Sequence, residues 1–390
     1  MPLGLKILII FLGLINLMKP KEFMRLLNMV RFGNTDDQTK VIEAMRQYYP
    51  EDTGLVFLTM DMEFMGGGLP QEGYRVQLEK LAAIKRSSTY QNIIYPFIFI
   101  DPRRIEPTQM DQPKDPGFTS QTFMNAVNNY LTAGDFHGLK IYPALGYYPF
   151  DKRMKPAYDL ALKYNLPIIT HCTVGAIHHK KRVAENERIH PVTGKKLPDV
   201  KPSEYQKYFT HPLNYECLMN KEHLQKVWGE DTMDYSNLKF CLGHWGSGED
   251  WHRYLENDWA DLYEDTKHEK CPALKLSNWF VEPKDEYKNF TWFTIILELL
   301  KSDKYPNIYT DISYTLYDAT LLPLLKMMLE ANTKVWEHVL FGTDFYMVSK
   351  AISEREYSIN LRAYLGEELF HQIAVVNARR FLSSEIGEVV

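Results

Sequence analysis

Cysteine is scarce in this 390-residue chain: Cys172, Cys217, Cys241 and Cys271 stand far apart, with no close pair among them. That spacing excludes a disulfide framework and a zinc–cysteine cluster, and it fits reduced thiols in a cytoplasmic protein. An excess of either charge is lacking too. The formal net charge is −5 and the basic residues are dispersed, so the footprint of a nucleic-acid binder is missing and no such partner is expected. Membrane-length apolar runs are absent as well. The apolar run of residues 7–18 falls short of the roughly 20 residues that a spanning helix needs. No small-x-small cleavage site follows it, and Lys19, Pro20 and Lys21 close it. A buried or amphipathic helix within an N-terminal segment, residues 1–34, is therefore expected. A cleaved signal and a membrane tether through residues 5–18 are the alternatives. Neither an internal repeat nor a low-complexity tract is visible.

What is present is ordinary for a protein with a large core: 45% hydrophobic, 13% aromatic and 24% charged residues. Short apolar runs alternate with segments of helical period, the signature of repeated βα units and a parallel sheet. Candidate strands are residues 54–60 (GLVFLTM), 93–100, 138–142 (GLKIY), 167–171 (PIITH), 238–244, 307–311 and 338–344 (HVLFGTD). Their lack of strict alternation suits strands covered on both faces. Between them, residues 35–48 read as a helix with Thr35 and Gln38 as a capping box. Tyr74, Leu78, Leu81 and Ile84 make a second stripe, and Met154, Ala157, Tyr158, Ala161 and Leu162 a third. Residues 321–328 form a denser fourth. Seven strands fall one short of a closed (β/α)8 TIM-type barrel. The predicted fold is thus α/β, a single barrel domain over residues 35–390 that is incomplete at its first strand. Long insertions at about 172–237 and 245–306 begin at strand C-terminal ends, the face on which such barrels build their sites.

His171, His244 and Asp344 each end an apolar run and should project at that same rim. A catalytic metal site needs about three His or carboxylate ligands and an open position, and these three qualify. Lys140 lies inside a strand, where an unpaired buried charge is costly; substrate binding and a structural ion pair are its two readings. Asp61 and Glu63, just past the first visible strand, are expected at the rim as substrate contacts, with capping or a surface ion pair as the plainer reading. Trp245, next to His244, joins them as a substrate contact. The basic run His178, His179, Lys180, Lys181 and Arg182 suggests attraction of an acidic substrate, or a solvated loop. Ser247 in GHWGSG lacks the G-x-S-x-G elbow of a serine hydrolase. Cys172 and His171, adjacent on a strand, point to opposite faces and make no nucleophile pair.

The runs THC, GHWG and FGTDF, in that order and each at a strand end, resemble the amidohydrolase superfamily. The likeness is to its amidohydrolase-related branch, which includes decarboxylases of unsaturated acids. LVFLTMDMEFMGGG, IIYPFIFIDPRR, HGLKIYPALGYYPFD and the terminal NARRFL extend it over roughly residues 35 to 385. The resemblance implies an eight-stranded barrel with a divalent metal, usually zinc, at its C-terminal face. It implies His171 as a metal ligand, Asp344 as ligand and proton shuttle, and His244 as a second ligand or the group polarising the substrate. One departure stands out: the family carries an H-x-H pair on its first strand, and here no histidine precedes His137. First strand and ligands are missing together, which suggests a protein beginning upstream of Met1. The expected activity is metal-dependent hydrolysis of an amide, ester or lactone in a small, acidic substrate, or non-oxidative decarboxylation. The alternative is a catalytically silent barrel serving binding or assembly. A homodimer is compatible with either.

Overall fold

The computed structural model describes residues 37–175, 177–256, 291–345 and 347–386, with Arg25, Leu27 and Thr35. The expectations for residues 5–18 and for Cys271 lie outside the described residues. Seven strands form one sheet: β1 (Leu55–Leu58), β2 (Ile94–Phe99), β3 (Gly138–Ile141), β4 (Pro167–His171), β5 (Lys239–Gly243), β6 (Ile308–Asp311) and β7 (Val339–Leu340). Their order in the sheet is their order in the chain, and every neighbouring pair is parallel. The sheet is curled into an open half-barrel flanked by helices. Among the described residues no strand joins β7 back to β1.

The strand sequences explain their places. Every residue of β3, β4 and β5 is buried, as continuous apolar runs require when both faces are covered. On β1, by contrast, Val56 and Leu58 remain 41% and 40% exposed, consistent with a strand that has a neighbour on one side only. Helices cover the outside through the expected stripes. Tyr74, Leu78 and Leu81 are buried on the helix Tyr74–Arg86, Ala157, Tyr158 and Ala161 on Lys155–Lys163, and Leu322, Leu325 and Met328 on Leu322–Ala331. Each large side chain so buried contributes roughly 1.5–3 kcal/mol. The first helix differs from its prediction. It spans Gln38–Arg46 and is capped by Asp37, whose carboxylate accepts from Thr39 N at 2.9 Å. A carboxylate adjacent to the first turn does the work assigned to the Thr35–Gln38 box.

Register fixes what points inward. Parallel partners share a face, and each strand alternates with period two. Lys140, Ile169, Cys241 and Tyr309 therefore form one row across β3 to β6. Phe97, Ile169, Cys241, Tyr309 and Leu340 pack together with Phe381 as the apolar floor of the half-barrel. Two residues further along the same face come Tyr142, His171, Gly243 and Asp311. Gly138 is glycine for a steric reason: a Cβ there would lie 2.3 Å from the Phe97 ring and 2.6 Å from Pro167 O. Among the described residues no helix is long and apolar enough to cross a membrane.

Candidate active site at the strand ends

The strand ends are where the backbone departs from ordinary geometry. His244 (φ 72°), Trp245 (φ 41°), Tyr314 (φ 60°) and Asp344 (φ 54°) all occupy the left-handed region, which is uncommon outside glycine and tends to cluster at functional sites. His171 ends β4, and its ring meets that of His244: His171 Nδ1 and His244 Nε2 are 3.1 Å apart. His244 Nδ1 lies 3.0 Å from both Ser313 O and Ser313 Oγ. Ser313 Oγ donates in turn to Asp311 Oδ1, which also accepts from His244 N at 3.1 Å and Ser313 N at 3.0 Å.

These contacts assign the protons. A carbonyl only accepts, and the Ser313 hydroxyl proton is already given to Asp311, so His244 Nδ1 must carry a hydrogen. In its neutral form His244 then accepts at Nε2 from His171 Nδ1–H. The remaining lone pair is on His171 Nε2, a buried atom with no hydrogen-bond partner. Burial, then the neighbouring His244 and Lys140, hold His171 well below the ordinary histidine range, so the ring is a neutral base. Tyr142 stacks on it at 4.2 Å and 13°, and Tyr215 OH bonds His171 O at 3.1 Å. Over Nε2 passes Gly175, where a Cβ would lie 3.3 Å away. Gln206 holds that loop by both backbone groups, at 2.9 and 3.0 Å. The Gly175 backbone thus packs closely over Nε2, an approach that a side chain at residue 175 would crowd.

Lys140 sits one layer below, 6% exposed, with Nζ 5.8 Å from the Tyr142 ring centre. Burial pushes its amine down to about 8, against the opposing pull of Asp311 and Asp344. Burial and the charge of Asp344 raise the Tyr142 phenol. Asp344 itself is exposed and its carbonyl accepts from Met347 N and Val348 N. His171 and His244 are in contact, Ser313 and Asp311 extend that hydrogen-bonded chain, and Asp344 acts through its charge on Lys140 and Tyr142.

Among the described residues, His171, His244 and Asp344 do not bring three ligand atoms within mutual reach. His171 Nε2 has no hydrogen-bond partner, both nitrogens of His244 are hydrogen-bonded, and a catalytic zinc wants about three protein ligands. Among the described residues the one group of three candidate ligand atoms within mutual reach is Glu216, Cys217 and His223. There Glu216 is already held by Tyr305 OH at 2.7 Å and Asn220 Nδ2 at 3.0 Å.

Three of the sequence candidates make other contacts. Asp61 and Glu63 are buried against Arg104, at 2.6 and 3.0 Å. Glu63 also accepts from Tyr74 N and Lys114 N, both at 2.7 Å. Burial raises Asp61 to about 6 even though Arg104 opposes the shift. These carboxylates border a cavity of about 150 Å³ at the end of β1, lined also by Met60, Gly73 and Gln77. Trp245 is fully buried, stacked 5.3 Å from Phe293 and edge-on to Trp251. The basic run crosses the rim: His179 N bonds Ala144 O at 2.9 Å and Lys180 N bonds Met65 O at 2.8 Å. No protein-family model and no curated protein matches this chain.

Proposed function

We propose that this chain is a hydrolase-type enzyme acting on a small acidic molecule at the strand-end site, by amide, ester or lactone hydrolysis or by non-oxidative decarboxylation. The observation that carries the reading is the unpartnered lone pair of His171 Nε2 at the end of the chain Asp311–Ser313–His244–His171. A neutral imidazole with an open lone pair accepts a proton as a general base, and the burial that disfavours its charged form makes it a weak one. It takes a proton from water or substrate, and His244 and Asp311 disperse the charge that follows. Lys140, on the layer beneath, meets the polar head of the substrate, and the basic residues 178–182 on the rim attract an anion. No step of this reading runs through a metal. Turnover of a panel of small carboxylate-bearing esters, lactones, amides and oxo acids tests it. His171→Ala should reduce the rate by about 10²–10⁴-fold with little change in thermal unfolding; a variant as fast as the parent would refute the role.

One observation favours a second reading, a silent barrel that binds without turnover: the expected ligands do not assemble into a three-donor set. Elemental analysis after purification without chelator, together with the same panel, separates the two. A protein that binds acids but turns over none, and takes up no zinc, is the silent barrel.

A further inference from the structure

We infer that Lys140 is a nucleophile: its Nζ condenses with the ketone of a small 3-oxo carboxylic acid, and the resulting imine drives loss of the carboxylate as carbon dioxide. The inference rests on the site proposed above and names its substrate class.

Geometry carries it. Lys140 projects from β3 into the half-barrel, almost wholly buried, and among the described residues no carboxylate is within ion-pairing distance of it. Asp311 and Asp344 act on it only at longer range, and Cys241, Tyr142 and His171 are the other titratable groups facing it. An ammonium held this way is relieved by losing its proton, the usual origin of amine nucleophiles in proteins. With the amine brought down to about 8 by burial, about a tenth is neutral at pH 7. One layer above stands the second requirement, a proton carrier: His171 with its open Nε2, backed by His244, Ser313 and Asp311.

The steps balance. The Nζ lone pair attacks the C3 carbonyl carbon while His171 Nε2 takes the proton released from nitrogen and delivers it to the oxygen, giving a carbinolamine. A second proton on that oxygen lets water leave, forming the protonated imine. The bond from C2 to the carboxylate then breaks, and its electron pair moves into the iminium to give an enamine and carbon dioxide. A proton returns to C2, and water hydrolyses the iminium to free the ketone and the Lys140 amine. Overall, the oxo acid and one proton become ketone and carbon dioxide; no oxidant or reductant takes part.

The test incubates the whole chain with acetoacetate, reduces with sodium borohydride, and maps the peptides by mass spectrometry. The expected result is one reduced adduct per chain, on the peptide carrying Lys140, trapped faster as pH rises toward about 8. Lys140→Met should lose it, and His171→Asn should form it more slowly. Adducts spread over surface lysines with Lys140 unmodified, or no adduct at all, overturn the inference. Mapping the parent protein decides the matter even if Lys140→Met fails to fold. Ester or lactone turnover that depends on His171, without any adduct, would dismiss the imine and leave the proposed function standing. Neither turnover nor adduct would remove both.

Discussion

Asp311 holds two backbone amides, a hydroxyl and a thiol at once, from His244, Ser313 and Cys241, while its charge keeps Lys140 from falling further below the ordinary amine range. Asp311→Asn retains an acceptor oxygen and removes that charge. The sign follows directly: without the carboxylate the ammonium is less favoured, so Lys140 titrates below about 8. The limb of the pH–rate or trapping profile that reports the amine should move to lower pH. A limb that stays in place, or moves up, would show that Asp311 does not act on Lys140. His171 and His244 were legible in the sequence because each ends an apolar run, and Lys140 because it is a charge inside one. Asp311 ends its run in the same way and is open to the same reasoning. Ser313 and Tyr142 carry no signal in sequence, since a hydroxyl or phenol beside a strand end is ordinary. Trp245 was misplaced for a physical reason. Adjacent residues at a strand end point to opposite faces, so with His244 turned toward His171 the Trp245 indole packs into the core against Phe293 and Trp251.

At the level of elements, the pairing of β1 with the short helix Pro102–Ile105 depends on one buried cation. Arg104 is fully buried, reaches Asp61 and Glu63, donates to Phe118 O at 2.9 Å, and lies among Phe64, Tyr74, Phe118 and Phe123. Arg104→Met would fill similar volume yet leave two desolvated carboxylates uncompensated. A loss of about 3–5 kcal/mol in denaturant unfolding is expected. A loss under 1 kcal/mol would mean that the carboxylates simply take up protons or water. Sequence placed Asp61 and Glu63 at a strand end, which is correct, but nothing local marks Arg104, some forty residues on, as their partner. The strands themselves were readable to within about two residues for β1 to β6, because each is a mainly apolar run, buried on both faces in β3 to β5. At β7 the reading overshot: the ladder spans only Val339–Leu340, since Gly342 and the turn at Asp344 carry the chain out of the sheet.

Across the whole molecule, buried neutral histidines couple stability to pH. Burial lowers His190 to about 4 and His211 to about 3; His190 also bonds Asn214 at 3.1 Å. Both values lie below the ordinary histidine value of 6.5, so the unfolded chain binds protons that the folded chain refuses. Stability is therefore full above pH 6.5 and declines as pH falls toward the folded values. Between pH 7 and pH 5 each histidine should cost about 2 kcal/mol, read as a falling denaturant midpoint. His190→Gln and His211→Gln together should reduce that dependence without abolishing it, because burial also holds His171 and His137 low; a midpoint indifferent to pH in the parent protein would contradict it.

The four left-handed residues at the rim have a consequence of their own. Each holds a backbone shape that its side chain resists by about 1 kcal/mol or more, and all four, His244, Trp245, Tyr314 and Asp344, flank or supply the polar cluster. Tension of this kind is sustained only while the surrounding sheet over-determines it. Selection for thermal robustness alone would therefore dismantle the rim first, and a hardier descendant of this protein would be expected to have traded away its chemistry.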